Sequence, residues 1–412
     1  MTVYGTPTQT PTKRRGLKVL VATAAVVIAA GAGATFQLVR DIPDATLTTT
    51  IATTIKVPGK APSLPWPETG SAELLVEGLG RLGGSGGQKA EPIGSVAKVM
   101  TAYVILKEHP LTGDEEGPSL TVSDADVQDY EGRKATGQSL VHVVTGEKLT
   151  QRDALEALML PSANNIAHQL AIWDAGSEAA FVDKMNAAAR SLGMDESEYT
   201  DPSGFLPTTM STAADQVELA RAAIKMPVFA EIVALREATI PVVGTIRNYN
   251  DMLGVEGVFG IKTGSTDEAG GNLVFASRLK VGERTMTIVG AVFNQPGANT
   301  PEQLAEVNVH VRKLLVAVRK TVKEYQLLAA EPAGRVETAW GGSTTVSPAA
   351  PLKVVGWPGV PIPVTVTTVA PGPSIAAGLV VGQVEASSVR VELRADEAVE
   401  DPSLWWKMTR LG

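Results

Sequence analysis

Residues 95–106 read SVAKVMTAYVIL, a serine and a lysine three positions apart at the head of an apolar run. Apolar residues recur at helical spacing and also occupy the other faces of the run, which predicts a buried central helix. Positions three apart share one helix face, so the Ser95 hydroxyl and the Lys98 amine are expected within hydrogen-bond reach. A buried lysine beside another positive charge has a lowered pKa and, when neutral, can take the proton of a serine nucleophile. Taken alone, Ser95 would be interpreted as a helix N-cap.

A second short motif consists of Ser162 and Asn164, separated by one alanine, between two predicted helices. Thr150 and Asp153 form a predicted capping box for the first helix, and Pro161 ends it. A connection held by two packed helices is a rigid place from which a hydroxyl and an amide can point into a cleft. The alternative is that either polar residue merely caps the second helix.

The third motif is Lys262-Thr263-Gly264, followed by Ser265 and Thr266, and the apolar residues before it predict an edge strand. The glycine lets a substrate approach the backbone closely. The lysine supplies positive charge, and the three hydroxyls could hold a carboxylate. Two further strands are predicted over 272–279 and 285–293.

In this order, the three motifs resemble the active-site set of serine enzymes that react with penicillin, and the chain resembles a serine D-alanyl-D-alanine carboxypeptidase. The resemblance extends to DPSG at 201–204, STAAD at 211–215 and NYN at 248–250, and it covers residues 65–330. It implies an α+β fold, with an antiparallel sheet flanked by helices and an all-helical cluster, as in β-lactamases and transpeptidases.

The resemblance also implies a role for each motif residue. Ser95 would attack the carbonyl between the two terminal D-alanines of a peptidoglycan stem peptide, and Lys98 would take its proton. The backbone N–H groups of Ser95 and Ser265 would form the oxyanion hole. The remaining roles are proton transfer to the leaving amine by Ser162, orientation by Asn164, the local field by Lys262, and substrate contact by Thr263, Gly264, Ser265 and Thr266. β-lactam antibiotics are implied as covalent inhibitors, and no metal or other cofactor is expected.

One departure concerns recognition of the substrate carboxylate. Some members of the family bind it with an arginine shortly after the strands that follow the third motif. No arginine occurs between Phe293 and Gln303 in this chain. Recognition must then depend on the hydroxyls, on Lys262, or on an arginine elsewhere.

Two other functions are weighed against the carboxypeptidase. Class A β-lactamases resemble one another in a Glu-x-x-x-Asn loop that activates the deacylating water. No glutamate between 162 and 262 has an asparagine four residues later, so fast lactam hydrolysis is not expected. A non-catalytic wall-binding or β-lactam-sensing module would tolerate loss of a motif residue, whereas all are present. The four histidines lack the HxxxH and HxH spacings of a zinc peptidase.

Residues 19–39 form an uncharged apolar run preceded by four basic residues between 13 and 18. The run is long enough to span a bilayer, and the basic residues place the N-terminus in the cytoplasm. The alternative is a cleaved signal, because Ala32-Gly33-Ala34 resembles a cleavage site. We expect a single-pass protein of a bacterial cell membrane with an extracytoplasmic catalytic domain, or a secreted one if cleavage occurs.

Composition shifts define the expected domain organisation. The C-terminal part has short Val/Thr-rich runs broken by Gly and Pro, which predict a small β-sandwich. A long helix capped by Thr300 is expected to end the catalytic domain. Trp405 and Trp406 are interpreted as packing residues, with a role at the wall or membrane as the alternative. The predicted divisions are a cytoplasmic tail at 1–18, an anchor or signal at 19–39, a linker at 40–66, the carboxypeptidase domain at 67–330 and the β domain at 331–412.

The overall composition fits this organisation. The chain has 412 residues, of which 44% are hydrophobic, so it can bury the cores of two domains. It contains no cysteine, which excludes a thiol nucleophile and any disulfide. Its net charge of −8 gives no reason to expect a nucleic-acid partner.

Overall fold

The computed structural model describes residues 1, 2, 5 and 13–410, so part of the predicted cytoplasmic tail lies outside the described residues. The chain divides into two compact units. We call residues 58–325 with 355–360 the motif unit, because all three sequence motifs lie in it. We call residues 1–57, 326–354 and 361–412 the terminal unit.

The described residues form ten α-helices and twenty strands. The helices are α1 (Lys13–Val39), α2 (Lys98–Glu108), α3 (Asp124–Lys134), α4 (Gln151–Met159), α5 (Asn164–Ala175), α6 (Glu178–Ser191), α7 (Ala213–Ala223), α8 (Pro227–Ala234), α9 (Thr300–Thr321) and α10 (Leu404–Thr409). The strands are β1 (Thr46–Thr49), β2 (Thr54–Lys56), β3 (Ser71–Val76), β4 (Gly80–Ser85), β5 (Glu91–Pro92), β6 (Ser119–Thr121), β7 (Lys148–Thr150), β8 (Met210–Ser211), β9 (Glu237–Ile240), β10 (Gly244–Arg247), β11 (Val258–Thr266), β12 (Gly270–Val281), β13 (Arg284–Gln295), β14 (Lys323–Leu328), β15 (Gly334–Glu337), β16 (Ser343–Pro348), β17 (Leu352–Gly356), β18 (Pro361–Thr368), β19 (Val380–Ala386) and β20 (Val389–Ala395).

A five-stranded antiparallel sheet forms the framework of the motif unit, in the order β11-β12-β13-β3-β4. Strands β12 and β13 are joined by a two-residue turn, since Val281 pairs with Arg284. Helix α9 packs on β12 and β13, and α7 packs on β13 and β3. Strand β11, which carries the third motif, is an edge strand as the sequence predicted.

The predicted buried central helix is confirmed as α2. It packs against α4, α5, α6, α7 and α8, and Val99, Met100 and Ile105 are completely buried. The predicted capping box at the start of α4 is also present, because the Asp153 N–H donates to Thr150 Oγ1 at 3.0 Å and the Thr150 N–H donates to the Asp153 carboxylate at 2.9 Å. These helices form an all-helical cluster beside the sheet.

The start of the central helix differs from the prediction in one respect. Ser95 lies in a 3₁₀ turn over Gly94–Ala97, and α2 begins at Lys98. The Ser95 hydroxyl makes no capping hydrogen bond, so the N-cap interpretation is not what the structure shows. Positions three apart eclipse one another in 3₁₀ geometry, and Ser95 and Lys98 therefore still share one face.

The cap predicted for α9 is displaced by one residue. The side chain of Asn299, not Thr300, accepts the Glu302 N–H at 3.0 Å, and the Glu302 carboxylate accepts from the Asn299 amide at 2.9 Å. Asparagine is as good an N-cap as serine and better than threonine, and here its amide also donates back to the glutamate. Thr300 and Pro301 consequently occupy the first turn of the helix.

The terminal unit contains a seven-stranded antiparallel sheet in the order β1-β15-β16-β20-β19-β18-β2. The predicted β content of the C-terminal region is confirmed. The segment 40–66 differs from the predicted linker, because β1 pairs with β15 and β2 pairs with β18. Edge strands need little apolar surface once their backbone groups pair with a neighbour, and Thr-rich segments suit that position.

Helix α1 also belongs to the terminal unit. Among the described residues, Gly16–Val39 is the helical segment with the length and apolar character to cross a membrane, with a mean hydropathy of 2.1. Its residues are not buried against the rest of the protein. A signal sequence near an N-terminus has the same properties.

The sheet register yields a stability prediction at Gly290. This glycine lies between Phe275 on β12 and Leu74 on β3, and an added Cβ would overlap both side chains. Gly290→Ala should therefore destabilise the motif unit by about 1–3 kcal/mol, the usual cost of overpacking. The control is Gly132→Ala in α3, where an added Cβ meets nothing within 4 Å and a gain of up to about 1 kcal/mol is expected. The midpoints of thermal unfolding of the two variants are compared with that of the wild type. Equal midpoints for both variants would contradict the packing argument.

Candidate active site

The first motif brings a hydroxyl and an amine together at the base of a cleft. The Nζ of Lys98 lies 2.8 Å from the Oγ of Ser95 and donates a hydrogen bond to the Ser203 carbonyl at 2.9 Å. Lys98 is completely buried, whereas Ser95 is partly accessible from the cleft. A neutral amine can donate to the carbonyl and still present its lone pair to the serine hydroxyl. The contacts therefore suit a base beside a nucleophile.

Electrostatics favour the neutral form of Lys98. Burial lowers its pKa well below the ordinary lysine value, repulsion from Lys262 lowers it further, and the Asp201 carboxylate partly opposes both effects. Burial also lowers the pKa of Lys262, to about 7. Repulsion from Lys262 acts on Lys98 in addition to burial, so the neutral form is favoured at Lys98.

A turn at residues 201–204 supports the lysine from below. The Asp201 carboxylate accepts from the Ser203 hydroxyl at 2.6 Å, the Phe205 N–H at 3.0 Å and the Thr209 hydroxyl at 2.6 Å. These bonds fix the turn that presents the Ser203 carbonyl to Lys98. Asp201 thus positions the amine through the backbone, a role that the sequence analysis did not assign.

The same turn packs tightly under the 3₁₀ segment that carries Ser95. Gly204 has φ +74°, and an added Cβ would overlap the Gly94 carbonyl. The Pro202 carbonyl accepts from the Thr101 hydroxyl on α2 at 2.6 Å. The turn and the central helix are therefore held in one fixed relation.

The second motif lies on the connection between α4 and α5. Ser162 adopts the left-handed region at φ 64°, and Asn164 is the first residue of α5. The Asn164 amide donates to the Gln138 side chain at 2.7 Å, and its backbone N–H donates to the Ser139 carbonyl at 2.8 Å. Among the described residues, the buried Ser162 Oγ and Asn164 Oδ1 have no hydrogen-bond partner. These two atoms are free to meet a substrate.

The third motif brings the edge strand against the nucleophile. A Cβ on Gly264 would lie 2.8 Å from the Ile93 carbonyl and 3.0 Å from the Ser95 nitrogen. A Cβ on Gly94 would lie 3.2 Å from the Ser265 nitrogen. Gly264 leaves no room for a side chain, and at Gly94 a side chain is disfavoured both by this contact and by the left-handed φ of 53°. This approach brings the Ser95 and Ser265 nitrogens, the predicted oxyanion hole, to adjacent segments.

The hydroxyls of the third motif do not all remain available. The Ser265 hydroxyl lies within hydrogen-bond distance of Thr300 Oγ1, at 3.2 Å, and of the Gln303 side-chain oxygen, both at the start of α9. The Thr266 hydroxyl accepts from the Ala269 N–H at 3.0 Å within the following turn. The Thr263 hydroxyl makes no such hydrogen bond to the described residues, and Thr263 lines the cleft although it is mostly buried. Of the three hydroxyls it is therefore the best placed for a ligand.

The site opens into a cleft of about 440 Å³. Phe205, Leu206 and Tyr249 form an apolar part of its wall with 39%, 44% and 51% of their surface exposed, and Asp267 and Glu268 add exposed carboxylates. No arginine occurs among the described residues that line it. The sequence-predicted residues that line the cleft are Ser95, Ser162, Asn164, Thr263, Gly264, Ser265 and Thr266, while Lys98 and Lys262 lie buried beneath it.

The sequence analysis missed several residues that hold the site in place. Asp201 and Gly204 belong to the DPSG stretch at 201–204, whose aspartate and glycine are typical of an Asx-turn. That pattern could have indicated the turn. Gln138 and Gln303 gave no signal, because their partners Asn164 and Ser265 are distant in the sequence.

Comparison with known proteins gives consistent results. The model of the D-alanyl-D-alanine carboxypeptidase family matches residues 85–296. A D-alanyl-D-alanine carboxypeptidase of a Streptomyces strain is 35% identical over 201 residues, covering 45% of this chain and 67% of that protein. One from Mycobacterium tuberculosis is 35% identical over 219 residues, covering 51% and 71%.

Solved structures show the same fold. The crystal structure of a Streptomyces DD-transpeptidase superposes with a TM-score of 0.52 and 26% identity, covering 63% of this chain and all of that one. Penicillin binding protein 5 from Haemophilus influenzae gives 0.56 at 20% identity, covering 83% and 100%, and supports the fold alone. The family match covers just over half of the chain and contains all three motifs of the cleft, so the chain belongs to the serine D-alanyl-D-alanine carboxypeptidase family.

Proposed function

We propose that Ser95 is the nucleophile of a DD-carboxypeptidase reaction that removes the terminal D-alanine from peptidoglycan stem peptides. The observation that carries the proposal is the 2.8 Å contact between Ser95 Oγ and the buried Lys98 amine. A wall-binding or drug-sensing module would have no need for a neutral base held against a hydroxyl. The partly apolar cleft, closed at its base by this pair, suits the end of an extended peptide.

Acylation is the first half of the proposed reaction. Lys98 takes the hydroxyl proton as Ser95 Oγ bonds to the carbonyl carbon between the two D-alanines. The negative charge that develops on the carbonyl oxygen is held by the N–H groups of Ser95 and Ser265. Asn164 orients the substrate amide through its unpartnered Oδ1.

Collapse of the tetrahedral intermediate breaks the peptide bond. The proton taken by Lys98 reaches the leaving amine through the Ser162 hydroxyl, and free D-alanine departs. Thr263 meets the substrate carboxylate and Lys262 sets the positive local field from beneath the cleft, with Gly264 allowing close approach to β11. Ser265 and Thr266 contribute their backbone and the shape of the strand end. Water then hydrolyses the ester on Ser95, which regenerates the hydroxyl and releases the shortened stem peptide.

The same nucleophile explains inhibition by β-lactams. Opening of the lactam ring leaves the drug attached to Ser95 as an ester, with the former leaving nitrogen still tethered in the cleft. Fast hydrolysis of such an ester needs a general base that activates water. The cleft carboxylates Asp267 and Glu268 are exposed. Asn272 stands four residues after Glu268, but this stretch follows the third motif and does not lie between the second and third, and the buried Asn272 amide donates to the Ala269 carbonyl at 3.2 Å. A long-lived adduct therefore fits the site better than β-lactamase activity.

For the whole chain we propose a membrane-anchored enzyme. Residues 19–39 would span the bilayer, with 1–18 in the cytoplasm and the carboxypeptidase domain, 67–330, and β domain, 331–412, outside. The segment Gly16–Val39 supports this, because 24 residues at 1.5 Å per residue reach about 36 Å, more than the hydrocarbon thickness of about 30 Å. An extracytoplasmic location also gives the enzyme access to peptidoglycan.

The nucleophile can be tested by mass. Wild-type protein treated with penicillin should gain the mass of one drug molecule and keep it for much longer than a β-lactamase would. Ser95→Ala should form no adduct and release no D-alanine from a peptide ending in D-alanyl-D-alanine. Ser123→Ala, which removes the exposed cap of α3, is the matched control and should acylate normally. An adduct on Ser95→Ala, or rapid turnover of the wild-type adduct, would refute the assignment.

The lysine pair predicts a bell-shaped pH dependence of kcat/KM. Lys98 must be neutral, so activity should rise with pH through its lowered pKa; Lys262 must be charged, so activity should fall above about 7. Lys262→Arg should keep activity at alkaline pH, because arginine stays protonated. Lys98→Arg should lose about 10²- to 10⁴-fold in acylation rate, the usual contribution of a general base. Stopped-flow measurement of the acylation rate across pH tests the bell-shaped profile and both variants. A Lys98→Arg variant with a nearly unchanged acylation rate would point to another base.

The fate of α1 is also testable. Retention of the span predicts a mature protein that keeps residues 1–39, stays in the membrane fraction, and is cut by protease added outside the cell. N-terminal sequencing of the purified native protein gives the answer. A mature chain that begins near Thr35 would show that the segment is a removed signal.

A further inference from the structure

A second cavity in the motif unit lies between α3 and α5, outside the catalytic cleft. Its volume of about 420 Å³ is within the range of roughly 300–1,000 Å³ that is usual for small-molecule sites. Part of its wall is apolar, formed by the buried Leu120, the exposed Ile172 and the half-buried Trp173. The Trp173 ring packs on His109 with 4.3 Å between ring centroids, so an indole held in place lines the cavity.

The same wall carries polar groups that the fold does not use. Gln169 is only 6% exposed, and its Nε2 has no hydrogen-bond partner among the described residues. The Nδ1 of His168 lies 2.6 Å from the Glu178 carboxylate, which fixes the ring and leaves Nε2 available. Asp126 accepts from the N–H and the hydroxyl of Ser123 through Oδ2 alone, which leaves Oδ1 available. A buried amide without a partner is costly, and a bound polar ligand would remove that cost.

This combination of groups fits a sugar ring. A pyranose has an apolar C–H face and carries hydroxyl and amide groups around its edge. An indole packs on such a face, while an amide donor, an imidazole nitrogen and a carboxylate oxygen can bind the edge groups. A wholly apolar ligand would leave the Gln169 amide and the Asp126 carboxylate unsatisfied.

Helix α5 connects the cavity to the catalytic cleft. Asn164, His168 and Ile172 are four residues apart and therefore share one face of the helix. The cavity residues from His168 to Trp173 lie about 6–14 Å beyond Asn164 along α5, at 1.5 Å per residue. Four residues separate the sugar from the scissile bond in a five-residue stem peptide, and when extended they span at most about 14 Å. One substrate is thus long enough to reach both places.

We propose that this cavity binds an amino sugar of the peptidoglycan glycan strand to which the stem peptide is attached. The inference rests on the function proposed above and extends its substrate from a peptide to a glycan-linked peptide. Contacts with the sugar are remote from the reacting atoms and are the same before and during the chemical step. They should therefore lower KM for the glycan-linked substrate and leave kcat unchanged.

A pair of substrates tests the proposal with the full chain. One is the free five-residue stem peptide, and the other is the same peptide attached to its disaccharide of amino sugars. Release of D-alanine should show a KM about 5- to 30-fold lower for the linked substrate, as an indole face with one or two hydrogen bonds would give. In Trp173→Leu, and in Ile172→Arg, whose side chain would fill the cavity from its exposed rim, the two KM values should become nearly equal.

Matched control variants lie outside the cavity. Trp405→Leu changes a tryptophan of the terminal unit that is 75% exposed, contrary to the packing role that the sequence favoured for it. Val309→Arg places the same charge on an exposed position of α9. Both should keep the wild-type difference in KM. Ile172→Arg changes a surface position, so it tests the site even where Trp173→Leu fails to fold.

Binding of the disaccharide alone separates failure of this inference from failure of the proposed function. Saturation-transfer NMR should detect the disaccharide on the wild type and on Val309→Arg, and should lose the signal on Ile172→Arg. Equal KM values in the wild type, or a preference that survives Ile172→Arg, would overturn the glycan site and leave the carboxypeptidase reaction intact. If neither substrate released D-alanine, the proposed function would be refuted, and saturation transfer would still decide whether the cavity binds the sugar.

Discussion

Burial of the Lys98 amine against Ser95 is the constraint on which the rest of the motif unit depends. A charged amine held away from water costs on the order of several kcal/mol even after the surroundings relax. The Lys98 amine lies at hydrogen-bond distance from the Ser203 carbonyl and the Ser95 hydroxyl, and repulsion from Lys262 lowers the pKa of Lys98. The neutral form, which can accept a proton, is therefore the favoured one. Packing of α2 among five helices is what keeps water out.

Three glycines convert this buried pair into a cleft with fixed geometry. Gly94, Gly204 and Gly264 lie where the 3₁₀ segment, the 201–204 turn and strand β11 approach one another without room for a side chain. Each contact joins segments far apart in the sequence, and the chain contains no cysteine to link them. Close backbone packing supplies the rigidity that holds Ser95, Lys98 and the two N–H groups of the proposed oxyanion hole in a fixed arrangement.

The parts of the fold that the sequence predicted are those encoded locally. Helix α2 shows helical apolar spacing, and the start of α4 shows a capping box within four residues. Contacts across long sequence separations had no such signal: Lys98 meets the Ser203 carbonyl 105 residues away, and Ser265 meets Gln303 38 residues away. Strands β1 and β2 escaped prediction for another reason. Their stability comes from backbone pairing with β15 and β18, so their exposed threonines have the composition of a linker.

In the proposed mechanism, recognition of the substrate carboxylate depends on Thr263, which lines the cleft, and on the positive field of Lys262, which lies buried beneath it. No lysine, arginine or histidine occurs among the described residues that line the cleft, and the Ser265 hydroxyl is engaged by Thr300 and Gln303. A carboxylate bound beside Lys262 would raise the pKa of that amine and keep it charged. A charged Lys262 in turn repels a proton from Lys98. In the proposed mechanism, binding of the correct anionic substrate therefore strengthens the electrostatic condition that keeps the base neutral, which links recognition to activation of Ser95.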